Sequence, residues 1–205
     1  MGDRRTIAII GSGLVLVTAV LLVVFAAIEP IPEFPPLEAG QETGFVAYVA
    51  DEEGDEVLVL DLSDLNSVSI DTSRGVELLG FDEEGYLVML RFGPQEQVHR
   101  YDPATGERVG EPVAMDEALW NQFPEEPVWV DQDGDDVVLE MDGGASASFE
   151  APDSYRVGSA TSMDEDRIVF TDELGRLALV HVGEDQQPVL LDDDVSPWWR
   201  VAARP

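Results

Sequence analysis

Four times between residues 43 and 205, a short apolar run is followed by an acidic, glycine-containing turn and then by a second apolar run. The turns are DEEGDE, DEEG, DQDGDD and TDELGR, and their glycines are Gly54, Gly85, Gly134 and Gly175. β-Branched and aromatic runs on either side of such turns are typical of β-hairpins, and glycine tolerates the positive φ that a tight turn needs. This part of the chain is therefore predicted to be all-β.

The paired apolar runs occupy residues 48–50 and 57–60, 78–81 and 86–90, 128–130 and 137–139, and 168–170 and 177–182. Runs 57–60 and 87–90 are continuous rather than alternating, which predicts strands covered on both faces. Only residues 116–123, DEALWNQF, suggest a helix, with Asp116 as its N-cap and Pro124 after its end. We therefore expect other sheets, rather than helices, to cover these strands.

The spacing and the local motifs resemble those of β-propeller repeats. The turn glycines are 31, 49 and 41 residues apart, and one four-stranded blade takes about 40 residues. Residues 101–107, YDPATGE, resemble a strand–turn segment of bacterial propeller repeats, and residues 163–192 resemble a whole blade of the TolB-like or WD-repeat kind. Residues 195–199, VSPWW, are similar to the Ser-Pro-x-Trp start of another blade. The resemblance implies a propeller-like array of about four antiparallel blades.

Three architectures fit such an array: an incomplete propeller, a four-bladed ring and a twisted two-sheet sandwich. Closed propellers typically have about 4–8 blades, so four repeats would make a small ring. In a propeller, a C-terminal strand at residues 199–202 would pair with the first blade and close the ring. Propellers commonly present loops on one face to a partner, so the resemblance also implies a binding role.

An uninterrupted apolar run at residues 6–28 predicts one transmembrane helix, because about 20 apolar residues span the hydrocarbon core of a bilayer. Arg4 and Arg5 precede the run, while Glu29 and Glu33 follow it. Positive charge favours the cytoplasmic side, so the N-terminus is expected inside and the rest of the chain outside the cell membrane. The alternative is a secretory signal that is cleaved near the end of the run, although the run is long for one.

The sequence thus predicts four segments along the chain. These are a cytoplasmic tip at residues 1–5, the transmembrane helix, a stalk at residues 29–42, and an acidic β-repeat domain at residues 43–205. The stalk sequence EPIPEFPPLEAGQ contains four prolines, which favour extended polyproline geometry and a semi-rigid spacer.

The chain is strongly acidic, with 43 Asp and Glu residues against 11 basic residues and a formal net charge of −32. A charge of this size repels phosphate backbones, so nucleic-acid binding is excluded. Apolar runs continue throughout the external part, so we interpret the acidity as the surface of a folded protein. Such surfaces suit a salt-rich environment, where charge repulsion is screened, although an acidic bacterial proteome would leave the same signature.

The chain contains no cysteine, so disulfides and thiolate metal sites are excluded. A calcium site is a candidate at Asp131, Asp133 and Asp135, because clustered carboxylates supply the oxygen ligands that calcium prefers. The segment does not match an EF-hand loop, since Gly134 is at its fourth position instead of its sixth. The alternative is a plain acidic hairpin turn. No other cofactor is expected.

Candidate partner contacts are the aromatic residues Trp120, Phe123, Trp198 and Trp199. Exposed aromatics on a charged surface often mark protein interfaces, although these side chains could instead seal the edge of the core. His99 and His181 are expected to be structural, because no partner pattern for catalysis or zinc accompanies either residue.

No residue set in the sequence specifies a reaction, and the resemblance to propeller repeats implies a non-enzymatic binding or scaffold module with a protein partner, acting by itself or as an accessory subunit of a membrane assembly. One alternative is a cell-envelope hydrolase or carbohydrate-binding enzyme that uses convergent carboxylates. Another is a calcium-stabilised structural domain.

The acidic composition predicts that folding depends on salt. At ionic strengths near 1 M the Debye length falls to about 3 Å, so repulsion among the surface carboxylates is largely removed. Circular dichroism should therefore show the β signal increasing from dilute buffer to molar salt. A fully folded spectrum in dilute buffer would contradict the salt-loving interpretation.

Overall fold

The computed structural model describes residues 31–50, 56–72, 75–93, 96–116, 119, 123, 128–133, 135–196 and 200–205. Within these residues the chain forms four antiparallel sheets, which confirms the all-β prediction. They form one compact unit that begins at Glu33 and ends at Pro205. The sheets are compatible with a propeller-like arrangement.

The first sheet joins both ends of this unit. Its strand order is β15 (Ala202–Arg204), β1 (Phe45–Val49), β2 (Glu56–Asp61) and β3 (Ser67–Asp71). Strands β15 and β1 are antiparallel, with Ala203 opposite Val46. The predicted pairing between a C-terminal strand and the first repeat is therefore confirmed, with the strand slightly later than residues 199–202.

The other three sheets follow the order of the chain. The second contains β4 (Val76–Phe81), β5 (Leu87–Arg91), β6 (Gln97–Tyr101) and β7 (Arg108–Ala114). The third contains β8 (Trp129–Asp133), β9 (Asp136–Glu140) and β10 (Ser146–Glu150). The fourth contains β11 (Val157–Ser162), β12 (Arg167–Asp172), β13 (Leu177–His181) and β14 (Val189–Asp192). Each sheet is thus assembled mainly from strands that are neighbours in sequence.

All four predicted hairpins form, and each lies in a different sheet. They are the antiparallel pairs β1–β2, β4–β5, β8–β9 and β12–β13. Gly85 and Gly175 adopt positive φ values of 89° and 77°, as their turns require. Gly54 and Gly134 lie outside the described residues.

Neighbouring sheets pack face to face and form the core. One apolar cluster joins the first and second sheets, another joins the first and fourth, and a third joins the third and fourth. Strand β5 is buried from Leu87 to Leu90, as its continuous apolar run predicts. Its second face packs on Met115, Leu119 and Phe123 of the following connection.

A hydrogen bond between the Asp116 side chain and the backbone supports the predicted helix start. The Leu119 amide, in a helical turn, donates a hydrogen bond of 2.8 Å to Oδ1 of Asp116. This is the contact expected of an N-cap aspartate.

Two sheets have their outer edges covered by connecting segments. The edge of β10 is bonded to the loop after β13, where the amide of Ser148 donates to the Gly183 carbonyl at 2.9 Å. The edge of β14 is bonded to residues 35–37, where the Leu37 amide donates to the Leu190 carbonyl at 2.9 Å. Covered edges resist pairing with other chains.

Part of the predicted stalk is packed on the sheets. Phe34 and Leu37 are buried, and the Phe34 ring makes edge-to-face contacts with Phe149, Tyr155 and Phe170 at centroid distances of 6.0–6.5 Å. The Arg176 guanidinium lies 4.3 Å from the centre of the same ring. Residues 33–42 therefore belong to the folded unit. The proline-rich sequence does not reveal the contacts that Phe34 makes with the sheets.

Polar contacts also fix the position of the chain at Glu42, after the buried residues Phe34 and Leu37. Arg167 contacts Glu42 at 3.0 Å and Asp164 at 2.5 Å. Burial alone would raise the pKa of Asp164, but hydrogen bonds and charge from Arg167 outweigh burial and lower it. Between the first and fourth sheets, the buried Tyr48 hydroxyl donates a hydrogen bond to Asp192.

No helix among the described residues is long and apolar enough to cross a bilayer. The predicted transmembrane run at residues 6–28 lies outside the described residues.

The docking of Phe34 predicts a large loss of stability in Phe34→Ala. Removing a buried aromatic ring leaves a cavity and should lower the free energy of unfolding by about 3–5 kcal/mol. Urea unfolding of the full chain, followed by circular dichroism, measures the change. Ile31→Ala is the matched control, because Ile31 is exposed and its loss should cost no more than about 0.5 kcal/mol. Equal stability of the two variants would contradict the docking.

Candidate functional site

The second sheet carries an open groove of about 420 Å³, which we call the acidic groove. Its floor is apolar and is formed by side chains from three strands and the following connection. These are Val88, Val98, Val109, Val113, Leu119 and Phe123. Val113 remains 51% exposed, so the floor is accessible to an apolar group from outside.

The floor arises from strand alternation. Val88 and Val98 lie on the face of the second sheet that packs on the connection after β7. The edge strand β7 adds Val109 and Val113, so apolar side chains from three neighbouring strands form the floor.

Carboxylates surround the apolar floor. Asp82, Glu83, Glu84 and Glu111 line the acidic groove together with one cation, Arg100. Among the described residues of the wall, four negative groups against one positive group leave a net negative charge.

Arg100 forms ion pairs with two carboxylates of this wall. Its guanidinium contacts Asp82 at 2.7 Å and also pairs with Glu84, and it lies 4.7 Å from the centre of the Tyr86 ring. The hydrogen bond with Glu84 is the main reason that the pKa of Arg100 is raised, with Asp82 adding to it, so the side chain stays charged. The turn itself is held by Asp82, whose Oδ1 accepts from the Tyr86 amide at 3.0 Å.

A second cavity, of about 350 Å³, lies between strands β4, β11 and β15, and we call it the arginine cavity. Leu79, Phe81, Met163 and Val201 contribute apolar side chains, and Arg200 and Arg204 contribute positive charge. Phe123 lines both this cavity and the acidic groove.

The Arg204 side chain is placed by aromatic rings and by a glycine. Its guanidinium lies 5.9 Å from the ring centres of Phe45 and Phe81. A Cβ atom at Gly85 would overlap the same guanidinium. Gly85 is therefore needed for the turn conformation and also for the close approach of Arg204.

Of the predicted partner residues, Phe123 is placed at a cavity wall and is half-buried. Trp120, Trp198 and Trp199 lie outside the described residues. The sequence analysis did not single out Trp129, which is 64% exposed on β8. It lies in the apolar run Val-Trp-Val, which the sequence analysis used only as one half of a predicted hairpin.

The candidate calcium residues lie on the third sheet. Asp131 is on β8, where its Oδ1 accepts from the Gln132 amide at 2.9 Å, and Asp135 is exposed in the turn. The side chain of Asp133 lies outside the described part of the chain. Among the residues that are described, no three His, Asp or Glu side chains are grouped to hold a metal ion. The calcium site stays a prediction.

Comparison with protein-family models and with curated protein sequences finds no match to this chain. No family model therefore supports the resemblance to TolB-like or WD-repeat propellers, and the four antiparallel sheets are compatible with a propeller-like fold.

Neither histidine lies at the wall of these two cavities, as far as the described residues define them. His181 is exposed, with Nε2 at 2.8 Å from Oε1 of Glu42. His99 is only 6% exposed, stacks on Tyr101 at 6.4 Å between ring centres, and finds no hydrogen-bond partner for either ring nitrogen among the described residues. Burial, followed by the charges of Arg108 and Arg91, lowers the pKa of His99.

The lowered pKa of His99 predicts a loss of stability in mild acid. Below the unfolded pKa of about 6.5, the unfolded chain binds a proton that the folded chain resists, so stability falls as pH decreases. His99→Phe keeps a stacked ring but cannot titrate. Urea unfolding at pH 7.5 and 5.5 should show a smaller decrease for His99→Phe than for the natural chain. An identical decrease in both would exclude His99 as its source.

Proposed function

We propose that this protein is a single-pass, membrane-anchored binding or scaffold module with a propeller-like external domain. Its partner is another protein, and the acidic groove of the second sheet is the contact surface. The observation that carries the proposal is an accessible apolar floor, centred on Val113, inside a wall of four carboxylates.

The chemistry of the groove specifies the chemistry of its occupant. An exposed apolar depression in a charged surface favours burial of an apolar side chain from a partner. The acidic wall favours lysine or arginine beside that side chain, because complementary charges steer encounter and select the partner. We therefore propose a partner segment with an apolar anchor flanked by basic residues.

Insertion into the groove is favoured over addition of a strand to β7. Pro112 lies in β7 and has no amide hydrogen to donate, and Gly110 has a φ of 73°, at an irregularity in the pairing with β6. Both features interrupt the hydrogen-bonding edge that strand addition needs. Side-chain contacts with the apolar floor therefore carry the proposed interaction.

Site-specific crosslinking tests the proposed partner chemistry. A photoreactive amino acid is introduced at Val113 in the full chain, expressed in its own membrane, and the captured peptide is sequenced by mass spectrometry. Leu174, which is 47% exposed in the turn between β12 and β13, is the matched control position. A peptide with basic residues next to an apolar residue, captured at Val113 only, supports the proposal. A neutral or acidic peptide, or equal capture at Leu174, contradicts it.

Val113→Asp should weaken binding of the captured peptide at least about tenfold, since it places a charge on the apolar floor and adds to the negative wall. Folding should be nearly unchanged, because surface substitutions usually shift stability by no more than about 0.5 kcal/mol. Isothermal titration of the full chain with the peptide measures the affinity. Leu174→Asp adds the same charge outside the groove and should leave the affinity unchanged; an equal loss there would indicate a general charge effect instead.

A further inference from the structure

We propose that the arginine cavity binds a small organic carboxylate with an aromatic or aliphatic body. This ligand is different from the basic partner proposed for the acidic groove, and Phe123 is the one described residue that lines both sites.

The charge of the cavity wall is the first observation. Acidic residues outnumber basic ones by 43 to 11 in the chain, yet the described wall carries Arg200 and Arg204 and no Asp or Glu side chain. Two guanidinium groups in a wall without carboxylate side chains form a positive site inside a negative protein. Such a site favours an anion.

The second observation is that neither arginine is neutralised within the described part of the protein. Arg100, Arg167 and Arg176 form ion pairs with Asp or Glu side chains. Arg200 and Arg204 have no such pair among the described residues. Their charge is therefore available to a ligand.

The side-chain chemistry of Arg204 suits recognition of a carboxylate. Its ring contacts with Phe45 and Phe81 use the attraction between a cation and aromatic faces. A guanidinium carries its N–H donors in a planar fork that matches the two oxygens of a carboxylate, and the Gly85 backbone packs beside the Nη1 end of this fork. Rings that hold the side chain in place reduce the entropy lost when the ligand binds.

The remaining wall selects for an apolar body next to the charge. Leu79, Met163 and Val201 provide apolar surface, and Gly80, Ala202 and Ala203 are small enough to leave space. A volume of about 350 Å³ lies within the range of about 300–1,000 Å³ that is typical of small-molecule sites. Gly80 lies at a register shift between β4 and β5, and such irregularities often redirect side chains near sites.

The test is calorimetric titration of the full chain, reconstituted in nanodiscs of zwitterionic lipid, with 3-phenylpropionate. We expect saturable binding, and binding weaker by about tenfold or more in Arg200→Gln and in Arg204→Gln, since hydrogen bonds to charged groups contribute about 1.5–3 kcal/mol. 3-Phenylpropanamide, which lacks the charge, and acetate, which lacks the ring, should both bind at least about tenfold more weakly. Empty nanodiscs provide the blank titration.

Arg91→Gln is the control variant, because Arg91 is exposed at the end of β5 and outside the cavity wall. It should bind 3-phenylpropionate like the natural chain. Equal affinity for the amide would show an apolar cavity without charge recognition, and an equal loss in Arg91→Gln would show a general charge effect. Either result, or no saturable binding, would overturn the proposal. Circular dichroism identifies a variant that fails to fold. If Arg200→Gln or Arg204→Gln does not fold, the affinity of the other variant for 3-phenylpropionate tests the proposal.

Discussion

Apolar faces of neighbouring sheets, packed against each other, supply the burial that opposes the charge repulsion of this acidic chain. With a formal net charge of −32, compact folding brings many carboxylates together at an electrostatic cost. Interior positions such as Val57, Leu87, Leu139 and Leu179 are fully buried in the clusters between sheets. Burial of this kind requires a covering layer over each apolar strand face, so the position of each sheet depends on the elements that pack on it.

The same requirement explains where the surface is left open. Strand β15 completes the first sheet, and residues 35–37 cover the edge of the fourth. The second sheet has one face packed on the first sheet, and its other face packs on Met115, Leu119 and Phe123 among the described residues. Val113 on the edge strand β7 stays half exposed beside that contact, and the acidic groove lies there.

Phe123 divides two cavities of opposite charge. On one side the wall contains Asp82, Glu83, Glu84 and Glu111, and on the other side it contains Arg200 and Arg204. In a chain with so few basic residues, this separation is produced by the fold: β15 carries Arg204 from the C-terminal segment to the side of β4. The two cavities therefore suit ligands of different chemistry on one small scaffold.

The sequence by itself determined the local architecture. Four glycine turns predicted the four hairpins, the continuous run at Leu87–Leu90 predicted a strand covered on both faces, and Asp116 predicted a cap. These signals lie within short windows, where turn geometry and side-chain periodicity act on adjacent residues. Phe123, one of the predicted partner contacts, lines two cavities, and its contact with a partner stays a prediction.

Only the tertiary structure decided which faces meet and what they enclose. Phe34 lies in a proline-rich segment that suggests a spacer, and its burial depends on Phe149, Tyr155 and Phe170, more than a hundred residues away. Likewise, nothing near Arg204 in sequence indicates Phe81 or Gly85 as its neighbours. Contacts of this range depend on how whole sheets are packed, and local sequence patterns carry no information about that packing.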